Sequence, residues 1–356
     1  MKKIAIIFGT RPETIKLYPV IKALKRDFHV VTIFTGQHRD LGRQMLKTFS
    51  IKPNYDLDVM MINQSLSALT AILHEELDKV LEKEKPDLVI VQGDTTSALI
   101  GATEAFYHKI PVAHVEAGLR SNDIYSPFPE EINRRLISQI ATYNFAPTKK
   151  AEARLREEVP GSYILTTGNT GIDTLLEFSK KIKAAKGWMV LVTLHRRESF
   201  GITLKEMLKA IYDFILEFPR FEIVFPVHPN PYVEKTVKEV LGNHPRIHLI
   251  EPVDYLEMVR LMKLSHFIIT DSGGIQEEAP SLNKPVLVLR EVTERMEGVE
   301  AGTSILVGTD SYNIYHAASE LVSNLLLYES MVHRKNPYGD GKASIRIAEY
   351  LKGVLF

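Results

Sequence analysis

Residues 3–16 read KIAIIFGTRPETIK. An unbroken apolar run, Ile4 to Phe8, discharges into Gly9-Thr10-Arg11-Pro12-Glu13. A continuous run without polar alternation fits a strand covered on both faces. Pro12 and Glu13 suit a first helical turn, proline by its fixed φ and missing N–H, glutamate by the helix dipole. Arg11 then stands at the carboxyl end of the strand, where open α/β sheets receive their ligands. From position alone it is either an anion-gripping guanidinium aimed into a cleft, with Lys16 one turn on, or a surface arginine beside a helix cap.

The pattern repeats outward. HVVTIFT, DLVIVQ, PVAHVE, YNFA and YILTT follow in the first half, and WMVLVTL, FEIVFPV, RIHLI, HFIIT, PVLVL and SILV in the second. Amphipathic helical stretches such as Leu66 to Glu84 and Leu204 to Phe218 lie between them. Strand alternating with helix predicts an α/β chain of two doubly wound, Rossmann-like domains with parallel sheets. The 356-residue length agrees. The boundary falls near GNTGIDTLLEFSKKIKAAKGW, where Gly168 and Gly171 flank a turn and a charged helix follows. Residues 1–170 form the first domain and 171–342 the second, with a C-terminal helix, 343–356, joining the first.

Lys+Arg and Asp+Glu balance at 44 each, which leaves no footprint for nucleic acid or a membrane surface. The absence of cysteine excludes disulfides, thiolate catalysis and cysteine-type zinc sites. No run approaches the roughly 18 apolar residues of a membrane span. The apolar start breaks at Gly9 and Arg11, too soon for a signal peptide, so the expected location is cytoplasmic.

Polar residues sit at nearly every expected strand end. TDSGGIQEEAP follows HFIIT, and Ser272, Gly273 and Gly274 would offer a hydroxyl and backbone N–H groups to a phosphate. Glu278, one turn on, could accept from a ribose diol; the plain alternative is a Gly-rich strand-to-helix turn. Neither GxGxxG after the first strand nor GxxxxGK[ST] occurs, which disfavours dinucleotide redox chemistry and P-loop hydrolysis. Acids occur at Asp94 in QGDTTSA, Glu116 in HVEAGLRS, and Glu130 and Glu131 in SPFPEEINRRL. Asp94 could be a helix N-cap. Glu116 ends a buried strand, where a carboxylate's pKa can rise into a useful range, and Glu130 stands at a helix start. Such a set serves either proton transfer at carbon or ordinary caps and surface pairs. His195, followed by Arg196 and Arg197, and His228 in PVHPNP end two further strands. Neither histidine forms HxH or HExxH, so no metal is expected. Arg290 and Arg295 lie in a long loop.

GTRPE-x-IK, TGQHR, QGDTTSA, HVEAGLRS, SPFPEEINRRL, GNTGID, TLHRRES, PVHPNP, TDSGGIQEEAPSL and TERMEGVEAGT, in this order along the whole chain, resemble the non-hydrolysing UDP-N-acetylglucosamine 2-epimerases. The resemblance implies the glycosyltransferase-B fold, two domains facing across a cleft that holds the nucleotide sugar, and a homodimer. It implies reversible epimerisation at C2 of UDP-N-acetylglucosamine to UDP-N-acetylmannosamine, by anti elimination of UDP to a 2-acetamidoglucal and re-addition. No cofactor, neither NAD nor metal, is called for. Asp94, Glu116 and Glu130 match the family's catalytic acids, and His195 and Arg295 its ligand contacts. Arg11 and Lys16 match nucleotide-sugar positions, Ser272, Gly273 and Gly274 the pyrophosphate seat, and Glu278 the ribose partner. His228 matches a motif histidine needed for activity, and Val253 and Met258 the uracil pocket, where Phe is common in place of Met258.

Other departures are few. Ile72 stands where bacterial members often carry an arginine linked to a UDP-N-acetylglucosamine effector site, although Gln44 remains nearby. RDTTERPE becomes REVTERME, Arg290 to Glu297, and HRREN becomes HRRES with Ser199. The rival readings are a hydrolysing 2-epimerase, a glycosyltransferase of this fold, and a UDP-sugar sensor without catalysis. GTRPETIK argues against the first, and the three acids against the others.

Overall fold

The computed structural model describes residues 1–183, 187–196 and 200–356. Arg197 and Ser199, and 184–186 of the expected charged helix, lie outside the described residues. The chain forms two compact units, Met1–Thr174 with Gly339–Phe356, and Leu175–Tyr338.

The strands of the first unit are β1 (Lys3–Phe8), β2 (His29–Phe34), β3 (Tyr55–Asp56), β4 (Leu88–Gln92), β5 (Val112–Val115), β6 (Tyr143–Ala146) and β7 (Tyr163–Thr166). They lie in the order β3-β2-β1-β4-β5-β6-β7, and neighbours run parallel. The intervening helices are α1 (Arg11–Leu24), α2 (Arg39–Thr48), α3 (Leu66–Glu84), α4 (Thr96–Tyr107), α5 (Glu130–Ile140) and α6 (Lys149–Glu158); α7 (Thr170–Ser179) carries the chain onward. Gly171, expected to flank a turn with Gly168, is inside α7, and of the two Gly168 takes a positive φ, +92°.

Helices cover both faces of the sheet, which is why its central strands are apolar throughout. Ile4, Ile6 and Phe8 face Leu17, Val20 and Leu24 of α1. Ala5 and Ile7 face Leu73 and Leu77 of α3 and Ala98 and Ala102 of α4.

The second unit repeats the design. β8 (Met189–Thr193), β9 (Glu222–Pro226), β10 (Ile247–Ile250), β11 (Phe267–Thr270), β12 (Val286–Val288) and β13 (Ser304–Leu306) lie in the order β10-β9-β8-β11-β12-β13, again parallel. Its helices are α8 (Ile202–Glu217), α9 (Pro231–Leu241), α10 (Tyr255–Leu264), α11 (Gly273–Glu278), α12 (Met296–Glu300), α13 (Ser311–Ser323) and α14 (Leu325–Val332).

The last helix, α15 (Ala343–Leu355), belongs to the first unit and buries Ile347 and Leu351 beside Ile4, Ile6 and Phe8. Burial of such side chains stabilises by roughly 1.5–3 kcal/mol each. Asp173 of α7 fixes the helix start, accepting from Ala343 N at 3.1 Å, Ser344 N at 2.7 Å and Ser344 Oγ at 2.6 Å.

Both sheets reverse their order of connection once, between β1 and β4 and between β8 and β11. In doubly wound sheets ligands bind beyond the strand ends at that reversal. Gly9–Glu13 and Asp94 lie at the first such point; His195 and Asp271–Gly274 lie at the second.

Candidate active site

In the first unit the turn after β1 is knitted to the turn after β4. Thr10 caps α1, and Glu13 closes the reciprocal capping box, its Oε2 accepting from Thr10 N at 2.8 Å and Gly9 N at 3.0 Å. Its other oxygen accepts from Thr95 Oγ1 at 2.7 Å. Glu13 is buried, and that burial outweighs these hydrogen bonds and raises its pKa. The residue is a scaffold for the site, a role deeper than the dipole partner read from sequence. The Thr-x-x-Glu spacing was the signal for it. Arg11, at the first position of α1, is exposed.

Lys16 reaches Glu116 across the sheet, Nζ lying 2.5 and 2.7 Å from the two carboxylate oxygens. Gln92 at the end of β4 donates to the same carboxylate. The Glu116 carboxylate, largely buried as its position suggested, is therefore paired with a lysine. Its backbone has φ +66°, a left-handed conformation that non-glycine residues rarely take. Gly93 (φ +71°) faces it: a Cβ there would lie 3.7 Å from Glu116 Oε2.

Asp94 is not the N-cap of α4. Thr95 caps it, accepting from Ala98 N at 3.0 Å. The Asp94 carboxylate instead pairs with Arg134 on α5, while its carbonyl accepts from Asn133 Nδ2 at 2.9 Å. Glu130 opens α5, half-buried, after a loop in which the Ser126–Pro127 and Phe128–Pro129 peptides are cis. Its neighbour Glu131 is fully buried. Burial opposes its charge, but the Ser121 amide, the Arg135 side chain and the charge of Arg134 outweigh that and hold its pKa below the ordinary carboxylate value. Glu131 is thus a structural anion, and Glu130 the acid left available at the helix start. Arg134, which the sequence reading passed over, stands one turn from Glu130 and ties α5 to Asp94.

In the second unit His195 follows β8. Its Nδ1 lies 2.7 Å from Asp271 Oδ1, and its backbone N–H donates to Asp271 Oδ2 at 2.8 Å. Asp271, just past the end of β11, thus fixes both the ring and the turn after β8, as an aspartate ending a buried strand could have signalled. The rings of His195 and His228 stack with centroids 6.0 Å apart. Ser272 precedes α11 without capping it through its side chain, and Gly274 is exposed. Arg295 lies over Gly273: a Cβ there would come 3.1 Å from the guanidinium carbon, so a larger residue would require Arg295 to give way by a few tenths of an ångström. Glu277 holds Arg295, accepting from its Nε at 2.9 Å. Arg290 is engaged elsewhere, donating to Glu294 at 2.8 Å. Glu278 ends α11, half-buried, and Val253 and Met258 are half-buried before and on the first turn of α10.

The fold and these two groups of residues define a doubly wound α/β protein with acids and cations at one switch point and a Ser-Gly-Gly turn beside an arginine at the other. The family model for UDP-N-acetylglucosamine 2-epimerase matches residues 22–352. The chain belongs to that family. The Bacillus subtilis UDP-N-acetylglucosamine 2-epimerase is 46% identical, covering 99% of this chain and 96% of the relative. The UDP-GlcNAc 2-epimerase of Neisseria meningitidis, solved bound to UDP-GlcNAc, is 44% identical with a TM-score of 0.88 over 99% of this chain and 100% of its own. The S. aureus protein MnaA, solved with UDP, is 47% identical with a TM-score of 0.87 over 100% and 97%.

Proposed function

We propose that the protein interconverts UDP-N-acetylglucosamine and UDP-N-acetylmannosamine. Membership of the family and relatives solved with UDP-GlcNAc or UDP support the substrate. The observation that carries the chemistry is the grouping of Asp94, Glu116 and Glu130 around one sheet end, each placed by a different element and two of them tied to cations.

The C2 proton of the sugar is not α to a carbonyl, so direct abstraction is prohibitive. As the C1–O bond to UDP breaks, its electron pair leaves on the diphosphate and C1 becomes cationic, which acidifies C2–H. A carboxylate takes that proton and the C1–C2 double bond of a 2-acetamidoglucal forms. UDP oxygen then re-attacks C1 while a proton is delivered to the other face of C2. Two faces require two proton handlers, which gives the acids distinct work. Arg295, the Ser272-Gly273-Gly274 turn and Arg11 stabilise the departing diphosphate. Glu278 accepts from the ribose, and Val253 with Met258 borders the uracil. His195, held by Asp271, and His228 act beside the diphosphate.

We place the protein in the cytoplasm; among the described residues no helix is long and apolar enough to cross a membrane. We take it to be a homodimer, for which exposed Phe106 and Tyr107 on α4 and Leu136 on α5 offer apolar surface. The test is product analysis from both directions. Either nucleotide sugar should yield the same mixture of the two, with little free UDP. Binding without turnover would identify a sensor.

A further inference from the structure

Two sequence fragments outside the candidate active site, HEELD (74–78) on α3 and EAFYH (104–108) at the end of α4, carry a second cluster. Each sets a histidine and a carboxylate four residues apart, hence on one face of its helix. The structure turns the two faces together. His108 Nε2 lies 2.8 Å from Asp78 Oδ1, and His74 Nδ1 hydrogen-bonds with Glu104. One donor atom from each of Asp78, Glu104 and His108 falls within 4.8 Å of the other two. Glu104 is 5% exposed and Asp78 lies at the surface, so the cluster is open on one side and closed on the other.

Zinc binds imidazole nitrogen and carboxylate oxygen at about 2.0–2.2 Å, which puts tetrahedral ligands about 3.4 Å apart. To reach that spacing Asp78 and His108 must give up their mutual hydrogen bond at 2.8 Å, and the three donor atoms already lie within 4.8 Å of one another. One nitrogen and two oxygens suit a borderline ion better than calcium or magnesium, which favour oxygen alone. His74, stacked on Tyr107 with ring centroids 6.3 Å apart, holds Glu104 as an outer partner orients a ligand.

We propose that Asp78, Glu104 and His108 bind a single divalent transition-metal ion of the zinc class, oriented by His74, clamping α3 to α4. A water would complete the tetrahedron. The ion has no part in the C2 chemistry, because His108 lies 13 residues along α4 from Thr95, about 20 Å at 1.5 Å per residue. The inference is independent of the proposed function.

The experiment uses the tag-free full chain, stripped with a chelator and dialysed, then titrated with zinc sulfate against a chromophoric competitor, with the unfolding temperature as second readout. Saturable uptake of one equivalent and a raised unfolding temperature are expected. Asp78→Asn, at an exposed position that the fold tolerates, and His108→Ala should remove both effects. His74→Gln should weaken uptake by about 10- to 100-fold. Absence of saturable uptake by the unaltered chain would overturn the proposal. So would uptake unchanged in Asp78→Asn and His108→Ala, which would assign the zinc to other histidines and leave the cluster as two ion pairs.

Discussion

Lys16 and Glu116, 100 residues apart in sequence, form an ion pair in which the ammonium sits 2.5 and 2.7 Å from both carboxylate oxygens. The lysine comes from α1 and the glutamate from the strained end of β5. The pairing orients the carboxylate before substrate arrives, and Gln92 fixes its rotation.

Replacing Glu116 with Gln keeps the shape and removes the proposed base. Turnover should fall by about 10²–10⁴-fold with little change in KM. Lys16→Met should also lower turnover and cost up to about 3 kcal/mol of stability, since one partner of a largely buried pair is left alone. Steady-state kinetics and urea unfolding check both. Near-normal turnover in Glu116→Gln would remove this residue from the chemistry.

Gly273 and Arg295 make a second pair whose geometry has a consequence. A methyl at residue 273 would meet the guanidinium carbon at 3.1 Å. Gly273→Ala should therefore push Arg295 aside and weaken UDP binding, and Arg295→Ala should weaken it by about 10- to 100-fold, the value of a charge-assisted hydrogen bond. Calorimetric titration with UDP measures both, and unaltered affinity in Arg295→Ala would exclude it as a phosphate contact.

His114 gives stability a pH dependence of definite sign. Burial, with the charges of Arg120 and Arg134, pushes its pKa down to about 4 even though Gly93 O accepts from its Nε2 at 2.7 Å. The native ring stays neutral while the unfolded ring protonates below about 6.5. Its contribution is present above pH 6.5 and is lost as pH falls through about 4, roughly 3 kcal/mol in all. Unfolding midpoints of the unaltered protein and His114→Gln, measured from pH 7 to 4, should converge as pH drops. Parallel curves would show that His114 is not the group responsible.

Asp173 anchors α15 through three hydrogen bonds from Ala343 and Ser344. Asp173→Ala should cost about 2 kcal/mol, because buried donors lose their acceptor. The exposed Lys342 should become an early tryptic site. A cleavage pattern and midpoint identical to those of the unaltered chain would contradict the anchoring role.

The doubly wound architecture was legible because covered strands such as IAIIF and DLVIV are continuous apolar runs. β3 was not: Tyr55–Asp56 is two residues long, one of them exposed, and leaves no hydrophobic trace. Gly171 misled because glycine near a boundary reads as a turn, whereas here Asn169 Oδ1 accepts from its N–H at 2.8 Å as α7 begins. Strand ends could be named as sites from sequence, but partners could not. Lys16 meets Glu116, Arg134 meets Asp94, and Glu277 meets Arg295 only once the sheets and loops bring distant segments together. Thr95 took the capping role offered to Asp94, since a hydroxyl one residue later reaches the Ala98 amide. The i, i+4 pairs of α3 and α4 were each visible alone and acquired meaning only when the helices packed.

The most direct measurement is incubation with UDP-N-acetylglucosamine in D2O, following the sugar by proton NMR. UDP-N-acetylmannosamine carrying deuterium at C2, with little free UDP, is the expected result and reports a C2–H bond broken and remade with solvent. Accumulating UDP and free N-acetylmannosamine, or UDP-N-acetylmannosamine that keeps its original C2 proton, would contradict elimination and re-addition through solvent-exchanging acids.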